Sequence, residues 1–189
     1  ATPADTTKGI WELMQEWWGE FPGPESGLDI DGDPRVVMLF LDVIDNFYEG
    51  SQGNGTFLNG YYDGQNEFPR LQFATSNQAE MIYLDTDPQW INRAGSAACN
   101  QVFHLINWNQ DFTEDLWLRG GLSYFSQWVA GYPTVSGVRQ YGSDDPTISG
   151  VVTFPAMNNL LEFNISTRTG TGDSPDIEYL YSFLFMLYL

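Results

Sequence analysis

One cysteine, one histidine and seven basic residues are all that this 189-residue chain carries to set against 25 acidic ones. A lone thiol, Cys99, closes no internal disulfide, so packing and not a cystine framework must hold the fold. The excess of acid gives a net charge of −18, and a surface of that sign repels a phosphate backbone; nucleic acid is excluded as a partner. No run reaches the roughly 18 apolar residues that a membrane span requires. The polar opening from Ala1 to Asp5 has neither the basic nor the apolar segment of a signal peptide, which suits a processed mature form.

What the chain has is aromatic mass. Seven Trp, ten Tyr and thirteen Phe, within a hydrophobic fraction of 42%, supply enough burial for one compact domain. That content rules out disorder despite the charge. The scarcity of basic residues, the abundance of Asn, Ser, Thr and Gly, and two acceptor sequons, at Asn54 and Asn164, point to an extracellular or cell-surface location.

Along the chain, Ile10, Leu13, Met14, Trp17 and Trp18 make one apolar helical stripe, predicting a helix capped by Thr6 or Thr7 and running to Trp18 with both tryptophans in the core. The run Arg35–Val43 is short and almost wholly apolar, and predicts a strand buried on both faces at the centre of a sheet. Before it, Asp29, Asp31 and Asp33 alternate around Gly32 like the start of a calcium loop, three hard oxygen donors at every second residue. The acidic twelfth position of an EF-hand is absent, so the segment reads first as a turn leading into the strand, with calcium the cofactor that Asp29, Asp31 and Asp33 would take as the alternative. Two further strands are expected at 57–62 and 79–85, separated from the first by a Gly- and Asn-rich loop.

The period then changes to helical. Ala97, Ala98, Val102, Leu105 and Ile106 mark a helix over 94–108, and a second is expected from about Thr113 to Ala130, ended by Gly131. A last helix is expected from Ile177 to Leu189, after loops that hold one apolar piece at Val151–Phe154. The chain thus divides into a sheet-containing part over 1–110 and a mainly helical part over 111–189. Its apolar close, Leu184–Leu189, leads us to expect that the natural chain continues.

Within this frame, Cys99–Asn109 followed by Glu114–Tyr132 resembles the active-site helices of secreted bacterial gluzincin-type zinc metallopeptidases, the hyicolysin-like and immune-inhibitor-like group. Asp31-Gly-Asp-Pro-Arg-Val37, Gly60-Tyr-Tyr-Asp63, Ser76–Asp85 and the closing Phe183–Leu189 resemble further segments of that family in the same order. The resemblance implies an α/β (α+β) zincin-like fold: a mixed sheet with packed helices, followed by a mainly helical part and a peptide cleft between the two. In the family one helix carries His-Glu-x-x-His, whose two imidazoles at i and i+4 grip zinc while the Glu takes a proton from zinc-bound water. The next helix supplies a third ligand, a carboxylate.

Carried over residue by residue, His104 is the retained metal ligand, Asn100 and Gly120 stand where the other two ligands belong, and Gln101 stands where the catalytic Glu belongs. Asn107 and Arg119 likewise replace a His and an Asn that are frequent in the family. An amide is a poor zinc ligand and no general base, and glycine offers no side chain. Taken as written, the chain is a degenerate metallopeptidase without zinc, a pseudoenzyme that binds a protein or peptide or assembles with copies of itself. Two alternatives stand beside it. If the encoded residues at 100, 101 and 120 are His, Glu and Glu, which share shapes with Asn, Gln and a truncated side chain, the protein is an active secreted zinc metalloendopeptidase. Alternatively the acidic, aromatic-rich domain is a structural subunit of a surface or filament. A Cys99–His104 thiolate pair is disfavoured, because i and i+5 point about 140° apart on a helix.

Overall fold

The computed structural model describes residues 1–21, 29–43, 58–86 and 94–132, together with Met186. The sequons at Asn54 and Asn164, the piece Val151–Phe154 and most of the closing helix lie outside the described residues. Met186 itself is helical and buried. In chain order the elements are α1 (Ile10–Trp18), β1 (Val37–Leu41), β2 (Gly60–Tyr62), β3 (Met81–Asp85), α2 (Ala94–Gln110) and α3 (Leu116–Val129), with a short 3-10 turn at Gly64–Glu67. The content is mixed α and β, as expected: a small mixed sheet and three helices among the described residues.

The sheet order is β1-β3-β2, with β1 parallel to β3 and β2 antiparallel to it. The centre is therefore β3, whose five residues are all buried. Ile82 and Leu84 are closed to solvent, each side chain contributing about 1.5–3 kcal/mol by leaving water. The expectation for the first strand is corrected: β1 lies on the outside of the described sheet, and Val37, Met38, Leu39 and Phe40 are all exposed, Phe40 by 50%. An apolar run of five residues reads the same whether it is covered on both faces or left at an edge, and periodicity does not separate the two.

Helix α2 forms the other wall of the core. Its Ala97, Ala98, Cys99, Val102, Leu105 and Ile106 join Ile82 and Leu84 of the sheet, Leu13 and Met14 of α1, and Val129 and Ala130 at the end of α3 in one buried cluster. The two parts expected on either side of residue 110 thus share a core. Small residues on α2 allow α3 to come close: the Ser96 hydroxyl donates to Gln127 Oε1 at 2.7 Å, and Ser126 Oγ donates to the Cys99 carbonyl at 3.4 Å.

The helix ends follow local chemistry. At the start of α1, Gly9, and not Thr6 or Thr7, is the capping residue; its N–H donates to the Glu12 carboxylate at 2.9 Å, while Thr7 is taken up by Asp5. Trp18 packs against the core as expected, but Trp17 is 51% exposed. At the end of α3, Gly131 adopts φ +78°, and its N–H closes on the Trp128 carbonyl at 2.9 Å. Helix α3 begins at Leu116, later than the sequence suggested, because Thr113 N–H and Oγ1 both donate to Asp111 in a turn of their own.

Candidate functional site

Strand β2, the 3-10 turn after it, α2 and α3 enclose a recess of about 520 Å³ lined by Gly60, Tyr61, Tyr62, Gln101, His104, Trp108 and Arg119 among others. A second recess of about 230 Å³ adjoins it, sharing His104 and Arg119 and bordered by Asn100, Gly120, Ser123 and Tyr124. All four positions singled out in the sequence, 100, 101, 104 and 120, therefore face one compound cleft. The cause is helical: α2 is continuous from 94 to 110, so residues 100, 101 and 104 project from one side of it, and α3 brings position 120 across.

Two glycines set the shape of the cleft. A Cβ on Gly60 would lie 2.4 Å from the Tyr83 carbonyl oxygen, and one on Gly64 would lie 2.3 Å from the Trp108 ring. Trp108 also meets Tyr62 edge to face, with ring centroids 6.3 Å apart. Gly64→Ala is expected to lower stability by about 1–3 kcal/mol, the usual cost of overpacking, and to displace the indole into the cleft. Chemical denaturation together with Trp fluorescence measures both; an unchanged emission spectrum at unchanged stability would contradict it.

The polar groups of the cleft are mostly neutral. Gln101 is buried, and its side-chain N–H₂ donates to the Gly60 carbonyl at 3.2 Å and to Asn100 Oδ1 at 3.1 Å, tying α2 to the edge of the sheet. Burial pushes His104 down to about 4, and the Arg119 guanidinium adds to the effect, so the imidazole is uncharged at neutral pH. Arg119 is the cation of the cleft. Cys99 is not in the cleft lining but in the core: it is fully buried and its thiol is pushed up to about 12 by burial, so it acts as a small core side chain.

A carboxyl that the sequence did not single out is bonded to Tyr62 of the cleft lining. Glu67 accepts a 2.6 Å hydrogen bond from the Tyr62 hydroxyl and one from the Asn109 side chain, yet burial pushes it up to about 7, with the Glu80 carboxylate adding to the rise. Burial also raises Tyr62, which stays a phenol. The only sequence signal was an acid set five residues beyond a strand end, which is common at any turn.

The expected calcium turn is partly rearranged. Asp33 is taken by Arg35, which donates to it from Nε at 2.7 Å and from Nη2, so it leaves the set. Asp29 and Asp31 instead cluster with Glu80, the residue just ahead of β3, and one oxygen of each lies within 4.8 Å of the others. Glu80 was not foreseen, because it lies about fifty positions away in sequence and joins the turn only through the pairing of β1 with β3.

Compared with models of known protein families and with curated proteins, the sequence finds no match. Among the described residues, no helix is long and apolar enough to cross a membrane.

Proposed function

We propose that this chain is an extracellular or cell-surface domain of zincin-like fold whose zinc site has been lost, and that it uses the cleft to bind a protein or peptide segment. The observation that carries the reading is the state of Gln101: at the position of the family's general base there is a buried amide that donates both to the sheet edge and to Asn100. An amide engaged in this way cannot remove a proton from water. Asn100 and Gly120 leave His104 as the one imidazole of the site, and two further protein ligands would be needed to hold catalytic zinc.

The cleft has the ingredients of peptide recognition. Among the described residues β2 is bonded to β3 on one side only, so its other edge can pair with an extended segment, while Tyr61, Trp108 and Arg119 supply side-chain pockets and a positive charge. The reading assigns no cofactor to the cleft; calcium is kept for the acidic turn. A quenched-fluorescence peptide library tests it: we expect binding of some members by anisotropy, insensitive to chelator, and no turnover with or without added zinc. Turnover abolished by chelator would overturn it.

A second reading is favoured by one observation, the convergence of positions 100, 101, 104 and 120 on a single cleft. It makes the protein an active zinc metalloendopeptidase, provided that the gene encodes His, Glu and Glu at 100, 101 and 120. The codons decide between the two.

A further inference from the structure

We propose that Asp29, Asp31 and Glu80 form a calcium site that fastens the turn over 29–33 to the start of β3. The turn's own backbone prepares the three carboxylates. Gly32 N–H donates to Asp29 Oδ1 at 2.6 Å, Asp33 N–H to Asp31 Oδ1 at 2.7 Å, and Ile30 N–H to Glu80 Oε1 at 3.2 Å. What remains points to a ligand: Glu80 is only 3% exposed, and its Oε2, like Asp29 Oδ2, is buried with no hydrogen-bond partner. A buried carboxylate oxygen left unpaired beside two further carboxylates is costly unless a cation meets it.

Among the described residues, the cation that reaches the cluster is Arg35, which feels the Asp31 charge but is hydrogen-bonded to Asp33 and not to the three carboxylates. The chemistry of the donors selects the ion. All are oxygens, the hard donors that calcium takes at about 2.3–2.6 Å, and one oxygen of each lies within 4.8 Å of the others, close enough to converge on one ion. Magnesium, with shorter bonds and strict octahedral demands, suits a turn of this kind less well; backbone carbonyls and water complete the six to eight ligands that calcium takes. Burial and the neighbouring Asp29 and Asp31 raise the Glu80 carboxyl, an effect opposed by its backbone hydrogen bonds. None of the three carboxylates lines the cleft, and the proposal stands whether or not the cleft holds zinc.

Titration calorimetry of the full chain with calcium chloride, after chelator treatment and dialysis, tests the assignment. We expect one calcium per chain with a dissociation constant on the order of 0.1–1 mM, as in extracellular modules. At 10 mM calcium the melting midpoint should rise by about 4–7 °C. Glu80→Gln is expected to abolish both effects. Because that variant removes a buried group, Asp31→Asn serves beside it: Asp31 is exposed, so its calcium-free melt should be unchanged while affinity falls at least about tenfold. Asp33→Asn should bind within about twofold of the natural chain, since Asp33 is not a ligand here. Absence of saturable binding at 10 mM, the same melting shift from magnesium, or full affinity in Asp31→Asn would each overturn the site.

Discussion

The triple variant Asn100→His, Gln101→Glu, Gly120→Glu is expected to hold one zinc per molecule with a dissociation constant below about 1 µM, a binding free energy of roughly −8 kcal/mol or better, where the natural chain is expected to retain none. The geometry for this already exists. Positions 100 and 104 are one helical turn apart on an unbroken α2, and position 120 faces the same small recess from an unbroken α3. His104 is neutral at the pH of the experiment, as a ligand must be. Three protein ligands would leave one tetrahedral position open to water. Each single substitution supplies at most two ligands and is expected to retain no zinc through gel filtration. Adding His104→Ala to the triple variant should remove the ion again, and omitting Gln101→Glu should leave zinc bound but peptides uncut, because the metal would then lack its base. Metal content by mass spectrometry reads every step. A triple variant that folds and melts like the parent yet holds no zinc would show that positions 100, 104 and 120 are not laid out as a metal site.

Glu67→Gln and His104→Asn should tilt the pH dependence of stability in opposite directions. His104 titrates lower in the folded chain than its ordinary value, at about 4 instead of 6.5. Its contribution is complete above pH 6.5 and is lost as the pH falls toward 4, because the unfolded chain takes up the proton first. Glu67 titrates higher in the folded chain, at about 7 instead of 4.5. Its contribution is complete below pH 4.5 and is lost as the pH rises through 7, because the unfolded chain ionises first. Between pH 4.5 and 6.5 the two slopes oppose each other and largely cancel. Each is at most about 1.4 kcal/mol per pH unit, and both side chains are partly open to water, so screening leaves about 2 kcal/mol apiece across the window. Glu67→Gln should therefore make stability rise with pH by about 2 kcal/mol relative to the natural chain, and His104→Asn should make it fall by as much. Chemical denaturation in calcium-free buffer at several pH values measures this. Parallel curves for the two variants would contradict it.

The residues that announce themselves in sequence are those whose pattern is local. The α2 stripe from Ala97 to Ile106 and the glycine stop at Gly131 are both found where hydrophobic period and backbone freedom place them. Cys99 is the buried, inert thiol that its surroundings on the helix imply. What escapes sequence reading depends on tertiary partners. The apolar run of β1 could not say whether neighbours would cover it, and its place outside β3 followed from where the third strand joined. Trp17 shares the stripe with Trp18 but faces outward, since a stripe of five residues on a nine-residue helix is wider than the face that α2 covers. Asp33 was grouped with Asp29 and Asp31 by alternation alone, yet Arg35, two residues on, claims it, and Glu80 takes its place across fifty residues of chain.

The central claim is that the cleft holds no catalytic metal, and zinc content of the protein purified from its natural source, without chelator and dialysed against metal-free buffer, tests it most directly. The account predicts well under one zinc per chain, with no peptidase activity to be lost on adding chelator. One tightly bound zinc per chain, removed by chelator together with peptidase activity, would contradict it.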